Sequence, residues 1–230
     1  MNAKKLIYTF DYNFKNLKYI MKNCLNYLII GAFSITLFGC ASVYKPIVPQ
    51  YQNYMAHELT DGISLSYKYD VLQEAGNKKN AKKEDKNGVR VIAVKITNNT
   101  DSTICIGKNA AFYSGYNQLV PLSPKAIKEQ VGQSPASHLL YLLLMPMNLY
   151  TTKKSDTGTE TKSYPIGLIV GPGIAIGNMV VASNSNSNME IELIKNDVIG
   201  RDIKKFETIY GIVAFKGTGY LPLSIKLIKN

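Results

Sequence analysis

Alternation of apolar and polar positions dominates two stretches of the chain. Residues 63–71 (Ile-Ser-Leu-Ser-Tyr-Lys-Tyr-Asp-Val) alternate without a fault, which predicts a half-buried strand. Residues 221–227 alternate too, with Pro222 on the polar face, and predict an edge strand. Residues 88–96 and 207–215 are apolar on both faces, as expected of strands covered on two sides. Shorter strands are expected at 103–106, 111–113 and 118–120, with a turn at 98–101, where Asn and Asp tolerate left-handed backbone.

The pattern breaks between 125 and 197. Ser123-Pro124 opens a helix over 125–130. Residues 139–149 are densely apolar, and 166–182 are apolar again but carry Gly167, Gly171, Pro172, Gly173 and Gly177. The second stretch reads as a short strand, a sharp turn and then a helix, with 183–188 a helix continuation or a loop. The Lys-rich stretch 74–87 is expected to be a mobile hairpin loop, and 151–161 a flexible polar segment. The fold class that follows is mainly β with an α insertion: a β-sandwich interrupted by helices at about 125–197, forming one domain over 59–230.

Before this domain stand two further regions. Residues 28–38 form an apolar run behind Met21-Lys22, and Leu37-Phe38-Gly39 lead directly into Cys40. A basic start, roughly 7–15 apolar residues and a small residue at the break describe a secretory signal peptide. The run is too short for a membrane-spanning helix, which needs about 20 apolar residues. Residues 1–39 are therefore read as leader, with Met21 as the suspected initiator. Residues 40–58, rich in Pro, Gln and Tyr and without a period, read as an extended tether.

The Leu37-Phe38-Gly39-Cys40 sequence resembles the lipobox of bacterial prolipoproteins. The resemblance implies cleavage before Cys40, with Leu37, Phe38 and Gly39 as the signal-peptidase recognition residues. It also implies acylation of the Cys40 thiol and a mature chain of 191 residues anchored in the cell envelope. Ala41 and Ser42 lack the Asp that retains lipoproteins in an inner membrane, so the outer membrane is favoured if the cell has one. Residues 94–101, 106–107 and 211–215 also loosely resemble immunoglobulin-like domains of bacterial lipoproteins, which implies a fold class and no activity.

Charge and chemistry narrow the picture further. The net charge is +11. Setting aside the five lysines and Asp11 before Cys40 leaves 22 basic and 15 acidic residues, an excess of +7. Lys78, Lys79, Lys82, Lys83 and Lys86 hold much of it and are expected on a solvated loop. No nucleic-acid motif accompanies them, and none is expected in an exported chain. Cys105 is the only thiol after Cys40, so an internal disulfide framework is excluded and a buried, inert thiol is expected. His57 and His138 are the only histidines, Glu190 and Glu192 are expected to be exposed, and no Gly-x-Ser-x-Gly elbow occurs. Residues 171–177 space their glycines wrongly for a dinucleotide loop. No catalytic residue, cofactor or metal site is expected.

The reading is a non-catalytic binding or assembly lipoprotein held to the membrane by lipid on Cys40, with an envelope protein as a possible partner. Its alternatives are a membrane-inserting helper that uses residues 139–149 and 166–182, and a hydrolase with an unrecognised site.

Overall fold

The computed structural model describes residues 40–155 and 158–228, in two compact units. Leu37, Phe38 and Gly39, with the rest of the expected leader, lie outside the described residues. The first unit holds Cys40 and residues 138–175, and the second holds 41–137 and 176–228.

In chain order the strands and helices are β1 (Ala56–Thr60), β2 (Ile63–Lys68), α1 (Val71–Glu74), α2 (Lys78–Asn87), β3 (Val89–Asn98), β4 (Ile104–Cys105), β5 (Ala110–Ser114), β6 (Asn117–Leu119) and α3 (Pro124–Val131). There follow β7 (Leu149–Ser155), β8 (Gly158–Tyr164), α4 (Gly167–Lys195), β9 (Asp202–Ile203), β10 (Thr208–Lys216) and β11 (Ser224–Leu227). Two 3-10 helices, Pro49–Tyr51 and Pro135–Leu144, complete the list. The fold is mixed: antiparallel sheets, none of them closed, with helices.

The second unit is built on a four-stranded antiparallel sheet in the order β1-β2-β3-β10 and a three-stranded one in the order β11-β5-β6. Period-two alternation explains why β3 is central. Ile92, Val94 and Ile96 point into a core shared with Phe112, Ile225 and Phe215, while Val89, Val91 and Ala93 point into a second core with Ile127, Val131, Met189 and Leu193. In the first core the rings of Phe112 and Phe215 meet edge to face at 5.3 Å. β10 repeats the division: Ile209 and Val213 face the first core, Ile212 and Ala214 the second. Its Gly211 leaves room for a crossing segment, since a Cβ there would lie 2.2 Å from Val198 Cγ1 and 2.6 Å from the Asn196 carbonyl oxygen.

Several expectations change. Residues 74–87 are not a hairpin loop. They form the end of α1 and the whole of α2, which buries Asn80, Ala81 and Glu84 on one face while its lysines take the others. Composition suggested a loop because the buried face is itself polar. Asn80 Nδ2 donates to the Val131 carbonyl at 3.0 Å, and Glu84 Oε1 accepts the Val91 N–H at 2.7 Å. Residues 151–155 and 158–161 belong to the β7–β8 hairpin, paired from Leu149↔Tyr164 to Ser155↔Gly158. The expected strand and turn at 166–173 are instead the start of α4, with Pro172 inside the helix. The insertion at 125–197 is therefore mostly helical, with this hairpin set between its helices. β11 is an edge strand as expected, although Pro222 lies ahead of it.

Candidate membrane-anchor site

In the first unit, exposed Cys40 shares its surroundings with the two apolar segments. Tyr141, on the 3-10 helix Pro135–Leu144, is buried; burial pushes its hydroxyl pKa up, and the neighbouring Cys40 side chain, within hydrogen-bond reach, adds to the rise. His138 is buried and stacks on Tyr141 with ring centroids 6.1 Å apart and planes 9° apart. The segments lie backbone to backbone. A Cβ on Gly167 would fall 2.1 Å from the Leu144 carbonyl oxygen, and the Gly167 N–H donates to the Met147 carbonyl at 2.9 Å.

What this pairing leaves outside is apolar. Leu140 is 68 % exposed, Leu143 76 % and Ile169 80 %, with Leu139, Leu168 and Ile174 also exposed. Strands β7 and β8 are exposed along their whole length. A few scattered exposed leucines are ordinary, but a contiguous apolar surface marks a contact site. By length and composition α4 could cross a membrane. Its 176–195 portion, however, buries Ala182, Ser185, Met189 and Leu193 at helical spacing within the second unit, so that face is already occupied.

The second unit deals with the residues that follow Cys40. Residues 41–54, expected to be a tether, are a docked strap. The Ala41 N–H donates to Asn178 Oδ1 at 2.7 Å. Ser42 makes a two-way amide pair with Gln133, N–H to Oε1 at 3.0 Å and Nε2 to carbonyl at 2.5 Å. Lys45 makes the same pair with Asn77, at 2.8 and 2.7 Å. Glu192 then accepts the N–H groups of Ile47 and Val48 at 2.9 and 3.1 Å. Tyr44 and Ile47 are buried in the helical core, and the Tyr54 hydroxyl donates to the Pro49 carbonyl at 2.8 Å. Primary amides mimic a neighbouring strand here, which satisfies a backbone that otherwise belongs to no sheet.

Sequence reasoning missed these partners. The Ser/Asn run on α4 is a polar seam: Ser185 accepts from Gln133 Nε2 at 2.8 Å, and Asn186 pairs with the Gln133 backbone at 2.7 and 2.8 Å. The available signal was spacing, since 178, 182, 185, 189 and 192 fall on one helical face. Glu190 ion-pairs with Lys128 at 2.7 Å, and Glu192 faces the strap rather than solvent. His57 lies on β1 with Nδ1 2.7 Å from Ser66 Oγ. Cys105 is buried, and that burial pushes its thiol pKa up. Among the described residues no group of three or more His, Cys, Asp or Glu is gathered for a metal ion. No protein family, curated protein or solved structure matches the chain.

Proposed function

We propose that this is a non-catalytic lipoprotein of the cell envelope, anchored by acyl chains on Cys40, that applies the apolar surface of residues 138–175 to the bilayer. The observation that carries the reading is the placement of Cys40 in the same compact unit as the exposed Leu140, Leu143 and Ile169. Acylation supplies about 0.8 kcal/mol per buried CH₂, and a second apolar contact is what turns marginal attachment into a stable one. If the cell has an outer membrane, that is the proposed location.

One observation favours a partner as well. The β7–β8 hairpin stands as an isolated two-stranded sheet with exposed faces, and such hairpins are marginal alone. Its outer edges suit strand addition by an envelope protein. For the finer fold, we infer a sandwich of the four- and three-stranded sheets, supported by their shared core. The order β1-β2-β3-β10 keeps three consecutive strands adjacent, whereas the immunoglobulin order interleaves them, so the immunoglobulin likeness rests on the two-sheet packing alone.

The test compares the full chain, made in a bacterial host, with its Cys40→Ser form. The expected results are an acylated amino-terminal peptide by mass spectrometry, and a Cys40→Ser protein that still needs detergent to stay monomeric. An unacylated Cys40 defeats the anchor, and a monomeric, detergent-free Cys40→Ser form defeats the bilayer contact.

A further inference from the structure

The residues after a lipid anchor ordinarily supply slack. Fourteen extended residues reach up to about 50 Å, at roughly 3.5 Å each. Here there is almost none, because the first residue after Cys40 is already tied to Asn178 and the ties continue at Ser42, Lys45, Ile47 and Val48. The ties also have a direction. Ala41 meets α4 at residue 178, and Ile47 meets it at residue 192. Those helix positions are about 21 Å apart at 1.5 Å per residue. The intervening strap spans about the same distance at roughly 3.3 Å per residue, so it runs extended and parallel to the helix.

Val48 adds a sign that the strap is held rather than resting. It is β-branched yet sits at φ 48° and ψ 81°, a conformation that persists only where surrounding contacts impose it. The contacts are there, in the Glu192 carboxylate and the buried side chains of Ile47 and Pro49 on either side.

We propose that this strap replaces a tether and seats the second unit directly on the bilayer that holds the Cys40 lipid. The residue-178 end of α4 then lies at the headgroups and the residue-192 end is raised above them. The occupant of this surface is the bilayer itself, named by continuity with the anchor one residue away. Val43, Ile176 and Val180, all more than half exposed, are the apolar side chains at the low end. The inference rests on the proposed acylation of Cys40.

The experiment uses the acylated full chain in vesicles of phosphatidylethanolamine and phosphatidylglycerol, with a fluorophore on Val180→Cys or on Ile194→Cys. Both positions are exposed on α4 and Cys105 is buried, while in the acylated protein Cys40 carries lipid and Cys24 has left with the leader, so labelling is confined to the introduced thiol. Nitroxide lipids carrying the probe at the headgroup are expected to quench the Val180→Cys label several-fold more than the Ile194→Cys label. Inserting about twelve Gly/Ser residues between Cys40 and Ala41 restores slack, and the contrast is expected to shrink markedly while membrane attachment persists. Equal quenching at the two positions, or a contrast undiminished by the linker, overturns the strapped seating and leaves the anchor standing. Mass spectrometry of the same samples separates the two claims: an unmodified Cys40 overturns the anchor and the seating together.

Discussion

The hydroxyl of Tyr44 donates to the carboxylate of Glu192 at 2.6 Å, and the same carboxylate receives two backbone N–H groups from Ile47 and Val48. One side chain on α4 thus answers three donors of a segment 145 residues earlier in the chain. Burial, followed by this hydrogen bond, pushes the Tyr44 hydroxyl pKa far up, so the phenol stays a donor at every physiological pH.

Removing that carboxylate strands all three donors. Glu192→Ala is expected to cost about 2–4 kcal/mol, since buried polar groups left without partners lose more than the bond itself. Tyr44→Phe removes one donor, leaves the two N–H bonds in place and should cost about 1 kcal/mol. Urea midpoints rank the two. Limited proteolysis then reports whether the strap has come loose, through new cuts within residues 44–52 of the Glu192→Ala protein.

Gly211→Ala is expected to be among the costliest single-methyl changes in the chain. The added Cβ would sit 2.2 Å from Val198 Cγ1 and 2.6 Å from the Asn196 carbonyl oxygen, which itself accepts the Ile212 N–H at 2.9 Å. A loss of about 2–3 kcal/mol is expected, of the size seen when cores are overpacked. Val198→Ala added to it should restore only part of the loss, because the second obstacle is backbone and cannot turn away. Full recovery in the double variant, read by thermal melting, would contradict this account.

Glu84 gives stability a pH dependence. Its carboxyl is buried on α2, and burial is the main cause of a pKa raised to about 7, against the Val91 N–H and Arg90, which lower it; Asp70 and Asp85 add small rises. The folded state therefore binds the proton more tightly than the unfolded chain does. This contribution is fully present below about pH 4.5 and is lost as pH rises through about 7, a change on the order of 3 kcal/mol. Glu84→Gln keeps an acceptor for Val91 and never ionises. It should match the parent near pH 4 and exceed it at pH 8; equal melting temperatures at pH 8 would count against the burial argument.

The sheet was legible because its signal is periodic. Ile92, Val94 and Ile96 alternate with Val91 and Ala93, and a two-sided strand accommodates both sets, with the β-branched residues favouring strand over helix. The helix α2 was not legible, because its buried face is Asn80, Ala81 and Glu84, and polar residues on every face imitate a loop. The strap failed for a related reason. Its partners Asn77, Gln133, Asn178 and Glu192 are polar and far apart in sequence, and nothing local to residues 41–48 announces that side-chain amides will replace a neighbouring strand. Of the candidate site, Cys40 and both apolar segments were legible, whereas the Gly167 approach to the Leu144 carbonyl depends on the tertiary fold.

Charge placed on the apolar unit separates membrane contact from folding. Leu143 and Ile169 are three-quarters or more exposed, so Leu143→Lys and Ile169→Lys should each change stability by no more than about 0.5 kcal/mol. Burying such a side chain in hydrocarbon is worth about 1.5–3 kcal/mol, so each substitution should weaken vesicle binding of the Cys40→Ser form by about tenfold or more. Flotation with vesicles measures the second quantity and thermal melting the first. Unchanged flotation with a lowered melting temperature would mean that these residues serve the fold, and would defeat the proposed bilayer contact of this surface.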